Sequence, residues 1–206
     1  MASSAPLRAG APPRSLIRST APKPAGGPGE EWGMVDSVPR PLVQSIHTVA
    51  VPASQFLAYA ETLHYDTSHA LEFIDITADI QNVVARSGVQ YGQLAVMSNH
   101  TTAAIVLNEH EPLLLNDMAR VLSRIAPAGD YYEHNDFSIR TVHMTDRECA
   151  NGHAHCQHLF LGSSETVPIH EGAAHIGQWQ SLFLVELDHA RPRSVFVQAI
   201  GTGAVR

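Results

Sequence analysis

Cysteine is scarce in this chain: 206 residues hold two, Cys149 and Cys156. Their spacing matches neither a CxxC zinc knuckle nor a disulfide framework, so a reducing, cytosolic setting is expected. Long apolar runs are missing too. The best candidate, Leu182 to Leu187, is interrupted by Glu186 and falls far short of the ~20 residues needed to span a bilayer, which predicts a soluble chain with no membrane partner. Positive charge is in short supply. Thirteen Lys and Arg face twenty Asp and Glu, a net charge of −7. The first 29 residues carry four of those cations and no acid, so residues 30–206 set nine cations against twenty acids, a formal −11. An acidic body argues against a nucleic-acid backbone as partner. No GxGxxG, Walker, GxSxG or HExxH motif occurs, which removes the common nucleotide-cradle, hydrolase-elbow and zincin signatures.

Histidine is what the chain has in quantity, thirteen residues, as many as Lys and Arg together. It is the side chain that ligates metals and exchanges protons near neutral pH. Three of them fall in Asn151-Gly-His-Ala-His-Cys-Gln-His-Leu-Phe-Leu-Gly162. As a strand this stretch would put His153 and His155 on one face; as a helix it would make His155 and His158 neighbours. Asn151 as N-cap, Gly162 just past the end and few β-branched residues between favour the helix. His155 takes part either way, and Cys156 is expected to be a buried hydrophobe.

Residues 1–41 hold eight of the thirteen prolines and read as a flexible Pro/Ala-rich extension. Arg8, Arg14 and Arg18 also give it the look of an organelle transit peptide, although the prolines oppose an amphipathic helix. One folded domain is expected over 42–206. Its predicted elements are a strand at Val43–Val51, a short helix at Gln55–His64, a strand at Leu71–Ile76, and a helix that Thr77 can cap, ending at Gly88. Strands at Gln93–Asn99 and Thr102–Leu107 follow, then a helix from Pro112 to Pro127 with Leu114, Leu115, Met118, Val121, Leu122 and Ile125 on its apolar face. A polar loop over Gly129–Cys149 precedes the histidine segment. Strands near Val167–His170, Trp179–Leu187 and Arg193–Ile200 close the chain, with Trp179 expected in the core. Strands and two to three helices without strict alternation indicate an α+β fold with mixed or antiparallel sheets.

Polar groups interrupt otherwise apolar sequence at Asn99-His100-Thr101-Thr102, at Asn108-Glu109-His110, and in the loop at Tyr132-Glu-His134. Burying such groups is costly unless they are paired or have a task. His100, His134 and His155, with a carboxylate such as Glu109, could form a three-imidazole site with an open position for water or substrate. Gly162-Ser163-Ser164 could offer backbone N–H groups to an anion, though an ordinary turn accounts for it as well.

With these residues in hand, the chain resembles the YjbQ family, small proteins often described as secondary thiamine-phosphate synthases. The resemblance runs from about Ile74 to Ile200. It rests on Asp75-Ile-Thr77, Ser98-Asn-His-Thr-Thr-Ala-Ala104, Asn108-Glu109, Asp117, Pro127, Tyr132-Glu-His134, Asn151 with Ala154-His155, Leu161-Gly-Ser163, Val167-Pro-Ile169, Gly172, Gly177-Gln-Trp-Gln180 and Glu186-Leu-Asp188, in that order. It implies a compact α+β trimer with a polar, metal-binding pocket near subunit contacts. It also implies a metal-assisted transferase or lyase, related in chemistry to the joining of a pyrimidine diphosphate and a thiazole phosphate. By the resemblance His100, His134 and His155 would bind a divalent ion, zinc first. Glu109 would act as acid or base, and Asn108, Asp117 and Gln180 would orient ligands. Thr101, Thr102, His153 and Ser163 are candidate contacts to a small-molecule substrate. Two other readings stay open: metal-independent acid–base chemistry (a lyase, isomerase or cyclase), and a non-catalytic trimeric binding protein. The chain departs from the family pattern in its extension, in Pro52–Ala70 where a short hairpin is expected, and in Asp188-His-Ala-Arg-Pro-Arg193 where Asp-Gly-Pro-Arg is usual.

Overall fold

The computed structural model describes residues 54–146 and 148–204. The extension 1–41, its transit-peptide reading and the strand expected at Val43–Val51 lie outside them. In chain order the elements are β1 (Ser54–Asp66), β2 (Glu72–Asp75), α1 (Thr77–Ser87), β3 (Tyr91–Ser98), β4 (Ala103–Glu109), α2 (Pro112–Ile125), a 3-10 turn (Glu133–Asn135), α3 (Gly152–Leu161), β5 (Ser164–His170), β6 (Ala173–Ala174), β7 (Gln180–Glu186) and β8 (Pro192–Ala204). They form a five-stranded sheet, β1-β8-β3-β5-β6, and a three-stranded sheet, β2-β7-β4, antiparallel throughout. The expected α+β class with three helices is what the chain adopts.

One segment differs from expectation. Residues 55–64 are strand, not helix, and β1 pairs along its whole length with β8 from Ser54↔Ala204 to Asp66↔Pro192. Leu57, Tyr59, Leu63 and Tyr65 pack against the core while Phe56, Ala58, Ala60 and Thr62 face outward. That is a period of two. Glu61, the polar member of the inward row, receives Nε and Nη2 of Arg86 on α1 at 2.7 and 2.5 Å and also accepts from Tyr59. The pair fastens α1 to β1.

The main core lies between the sheets. Ile80, Val83 and Val84 of α1, Leu94 and Val96 of β3, Ile105 of β4, Leu182 and Leu184 of β7 and Val195 and Val197 of β8 are buried there. A second cluster, Ala104, Leu122, Ala154, Phe183, Val185 and Leu187, sits on the other face of the three-stranded sheet, beneath α2 and α3. Because β4 and β7 are covered on both faces, they read as continuous apolar runs rather than as alternation. Gln157 joins the two helices: 2% exposed, it donates Nε2 to the carbonyls of Leu122 and Ala126 at 3.3 and 3.0 Å, engaging the Ala126 carbonyl just past the end of α2 and adding a second donor to Leu122, which already accepts from the Ala126 N–H at 3.1 Å.

Thr77 opens α1 without capping it; its hydroxyl accepts from the Leu182 N–H of β7 at 2.9 Å, and its own N–H donates to Asp75 Oδ1 at 2.9 Å. Two core assignments are corrected as well. Trp179 is 69% exposed in the turn before β7, and Cys156 is exposed on α3. Neither lies on a stripe that the two packed layers cover.

Candidate functional site

The 3-10 turn and α3 assemble the site. A side chain on Gly152 would meet Tyr132 Cβ at 2.6 Å, and the Gly152 N–H donates to Asn135 Oδ1 at 2.8 Å. The start of α3 is therefore pressed against the turn that carries His134. As a result the His134 and His155 rings meet edge to face, centroids 4.6 Å apart. They line an open cleft of about 820 Å3 with Thr101, Glu133, Ile139, Arg140, Val142, His143, Glu148 and Asn151. Burial lowers the His155 pKa below the ordinary imidazole value, and the neighbouring His134 lowers it further, with Asp188 pulling the other way. At neutral pH His155 is an uncharged imidazole able to accept a proton or a metal.

Asp188 lies behind this pair, 6% exposed. Asn151, in the N-cap position of α3, does not cap the helix; its Nδ2 donates to Asp188 Oδ2 at 3.1 Å. Burial pushes the Asp188 carboxyl up, but hydrogen bonds from His189 and Asn151 and the Arg191 charge outweigh it and hold the pKa low. At the cleft rim Arg140 pairs with Glu148 at 2.8 Å, so the cleft's guanidinium is already compensated. Asp188, Arg140 and Glu148 were not among the sequence-derived site residues. A signal existed for Asp188: it is the first carboxylate after the doubly covered run of β7.

His100 takes a different position. Its Nε2 accepts from the Ser194 N–H at 2.8 Å, which places that ring's proton on Nδ1. Burial, then the Arg193 charge, lowers its pKa. The adjacent Thr102 is 4% exposed, and its hydroxyl and carbonyl accept from Arg193 at 3.0 and 3.3 Å. It is a structural member of a buried network in which Arg193 clasps both oxygens of Glu186, Nε to Oε2 at 2.6 Å, while the Thr67 hydroxyl and the Asp188 N–H add donors at 2.9 Å. Thr101, by contrast, reaches the cleft.

His153 packs at a tilt on Tyr132 and keeps a buried Nδ1 without a hydrogen-bond partner. His158 and Ser163 bond to each other, Nε2 to Oγ at 3.2 Å. The remaining candidates lie elsewhere in the fold. Asn108 and Glu109 end β4, opposite Ser181 and Gln180 of β7. A strand of seven residues spans about 20 Å, so this end is remote from the His100–Thr102 end in the same chain. There Gln180 accepts from the Gly177 N–H at 2.7 Å, Asn108 Oδ1 accepts from the Glu109 N–H at 2.8 Å, and His110 Nδ1 pairs with Asp75 Oδ2 at 2.8 Å. Asp117 is on α2, paired with Arg120.

A metal held by imidazoles needs ligand atoms that converge. His134 and His155 fit as two ligands, but the Nε2 of His100 is engaged by Ser194. Among the described residues the three do not gather their ring nitrogens into one group; the trio of potential ligands that does, within 4.8 Å of one another, is Cys149, Asp188 and His189.

Two antiparallel sheets with three helices, and a paired-imidazole cleft where the 3-10 turn meets α3, define the class: an α+β protein whose cleft histidines are brought together by a 3-10 turn and a helix. The chain belongs to the YjbQ family; the family described as UPF0047 protein YjbQ-like matches residues 61–202. A UPF0047 protein of Methanothermobacter thermautotrophicus is 36% identical over 69% of this chain and 92% of its own. The Bacillus subtilis UPF0047 protein YugU is 29% identical over 68% of this chain and 98% of its own. A crystal structure of a YbjQ-like protein of unknown function from Sulfolobus solfataricus superposes with a TM-score of 0.64 at 32% identity, covering 71% of this chain and 99% of that one. Among the described residues no helix is long and apolar enough to cross a membrane.

Proposed function

We propose that the protein is a homotrimeric enzyme performing acid–base chemistry on a small polar metabolite bound in the His134–His155 cleft. The observation that carries this reading is the edge-to-face contact of the two rings, with His155 held neutral at physiological pH. His155 takes a proton from the substrate, the Asp188 charge steadies the imidazolium that forms, and His134 stands beside it as the second proton-exchanging group. The compensation of Arg140 by Glu148 favours a neutral or singly charged substrate over a doubly phosphorylated one. The outward face of the five-stranded sheet supports the trimer. Its three central rows, Thr62–Phe196–Met97–Ser164, Ala60–Gln198–Ala95–Thr166 and Ala58–Ile200–Gln93–Pro168, contain no ionisable side chain, as expected of a patch that copies of the chain cover. In such an assembly, Glu109, Asn108 and Gln180 could serve a cleft only from a neighbouring copy.

A second reading, metal-assisted transfer of the thiamine-phosphate-synthase type with zinc as the ion, draws support from the same ring contact, because two imidazoles so placed could share an ion. Turnover screened over a small-metabolite panel separates the readings. Acid–base chemistry gives a bell-shaped pH profile, insensitivity to chelators and loss of turnover in His155→Ala. Chelator-sensitive turnover supports the transfer reading instead. Ligand-dependent melting without turnover of any compound makes the protein a non-catalytic binder and refutes both.

A further inference from the structure

The segment Asp188–Arg193 carries His189 and Arg191 where the family resemblance leads one to expect a single glycine. In the fold these two side chains close over Asp188 together with Cys149 from the long loop. Cys149 Sγ lies 3.7 Å from Asp188 Oδ2, and His189 Nδ1 lies 2.9 Å from Asp188 Oδ1. The ligand atoms of all three residues fall within 4.8 Å of one another. In a tetrahedral site with bonds of 2.0–2.3 Å the ligand atoms are about 3.5 Å apart, so the set must draw in by up to about 1.3 Å for an ion to sit among them.

What lies among these groups is a cation. Arg191 Nη2 is 2.5 Å from Asp188 Oδ2, 3.4 Å from Cys149 Sγ and 2.7 Å from each ring nitrogen of His189. One guanidinium nitrogen thus sits against all three residues, so a positive charge already occupies the space between them. Its hold is incomplete: Arg191 Nε is buried without a hydrogen-bond partner, a cost that movement of the side chain toward solvent would relieve. A thiol sulfur, an imidazole and a carboxylate form a mixed set suited to zinc and its neighbours rather than to calcium or magnesium, which prefer oxygen alone.

We infer that Cys149, Asp188 and His189 form a binding site for one divalent ion of the zinc class, entered by displacement of the Arg191 guanidinium. Binding releases the Cys149 thiol proton to solvent and swings Arg191 outward. The site shares Asp188 with the cleft but does not depend on the acid–base reading, since neither His134 nor His155 is a ligand.

Cobalt(II) added to the full reduced chain tests this. One equivalent should produce a near-ultraviolet thiolate-to-cobalt charge-transfer band, and zinc should abolish it. The band should vanish in Cys149→Ser and persist in Cys156→Ser. His189→Ala, at a side chain 55% exposed and so harmless to folding, should weaken binding by about tenfold or more. Arg191→Gln should tighten it by on the order of tenfold, because a like charge leaves the site; a purely structural role for Arg191 would not produce that gain. His134→Ala and His155→Ala should leave the band unchanged. A band that survives Cys149→Ser, binding that is lost only with His134 or His155, or weaker binding in Arg191→Gln would each overturn the assignment.

Discussion

Replacing Arg193 by Met tests the buried network beneath the Thr101–Thr102 turn. Glu186 is fully buried and Arg193 only 3% exposed, so each charge is tolerated because the other is there. Methionine keeps most of the stem volume but removes the guanidinium. Glu186 then retains the Thr67 hydroxyl and the Asp188 N–H without a counter-charge, and Thr102 loses its donor. Removing one partner of such a pair costs about 3–5 kcal/mol. For a chain of this size that is a fall in Tm of roughly 6–20 °C. Urea unfolding at one fixed protein concentration measures it, the fixed concentration being needed because assembly would add to apparent stability. The double variant Glu186→Leu/Arg193→Met should recover more than half of the loss, since no unpaired charge remains buried. A single-variant loss below about 1 kcal/mol, or a double variant no better than the single one, would refute the view that charge pairing rather than packing dominates here.

Three further outcomes are expected. Gly92→Ala would place a Cβ 2.0 Å from the Ile200 carbonyl oxygen of β8; backbone cannot yield as a side chain does, so a loss of about 2 kcal/mol or more is expected in the same urea assay. Glu61 has its pKa lowered from 4.5 to about 2, first by Arg86 and then by Tyr59. Its contribution is complete above the unfolded value and disappears as pH falls through the folded one. Acid melts of the native chain and Glu61→Gln should accordingly converge between pH 4.5 and 2, and a constant gap would contradict the pairing. His155 should titrate below the ordinary imidazole value by NMR, and His134→Ala should move it only part of the way back, because burial is the larger cause. A group held neutral in the fold takes up protons more readily when unfolded. The His155 shift therefore costs stability as pH falls below the ordinary imidazole value, and the cost levels off below the folded pKa.

How far each residue could be read depends on whether its signal is local. The α1 and α2 spacings, the Pro112 start and the Gly88 end are set within one turn of backbone, and both helices form as expected. His155 was singled out from its helix, and the helix delivers it to His134. Segment 55–64 failed because its inward row includes Glu61, which breaks the apolar alternation until Arg86 is known to face it. The grouping of Glu109 with the histidines failed to appear within one chain because sequence neighbourhood says nothing about which end of β4 a side chain occupies.

By itself, the sequence determined the α+β class, the family and the two regular helices, and it singled out His155 within its helix, because periodicity, capping and motif order are properties of short stretches. Tertiary structure alone decided which polar groups meet. Packing of α3 on the 3-10 turn pairs His134 with His155, and the return of β8 beside β3 brings Arg193 to Thr102, just before β4. The turn between β7 and β8 sets Arg191 among Cys149, Asp188 and His189. The pairings of His134 with His155, Thr102 with Arg193 and Cys149 with Arg191 join residues far apart in sequence, and only the closed layers hold them in contact.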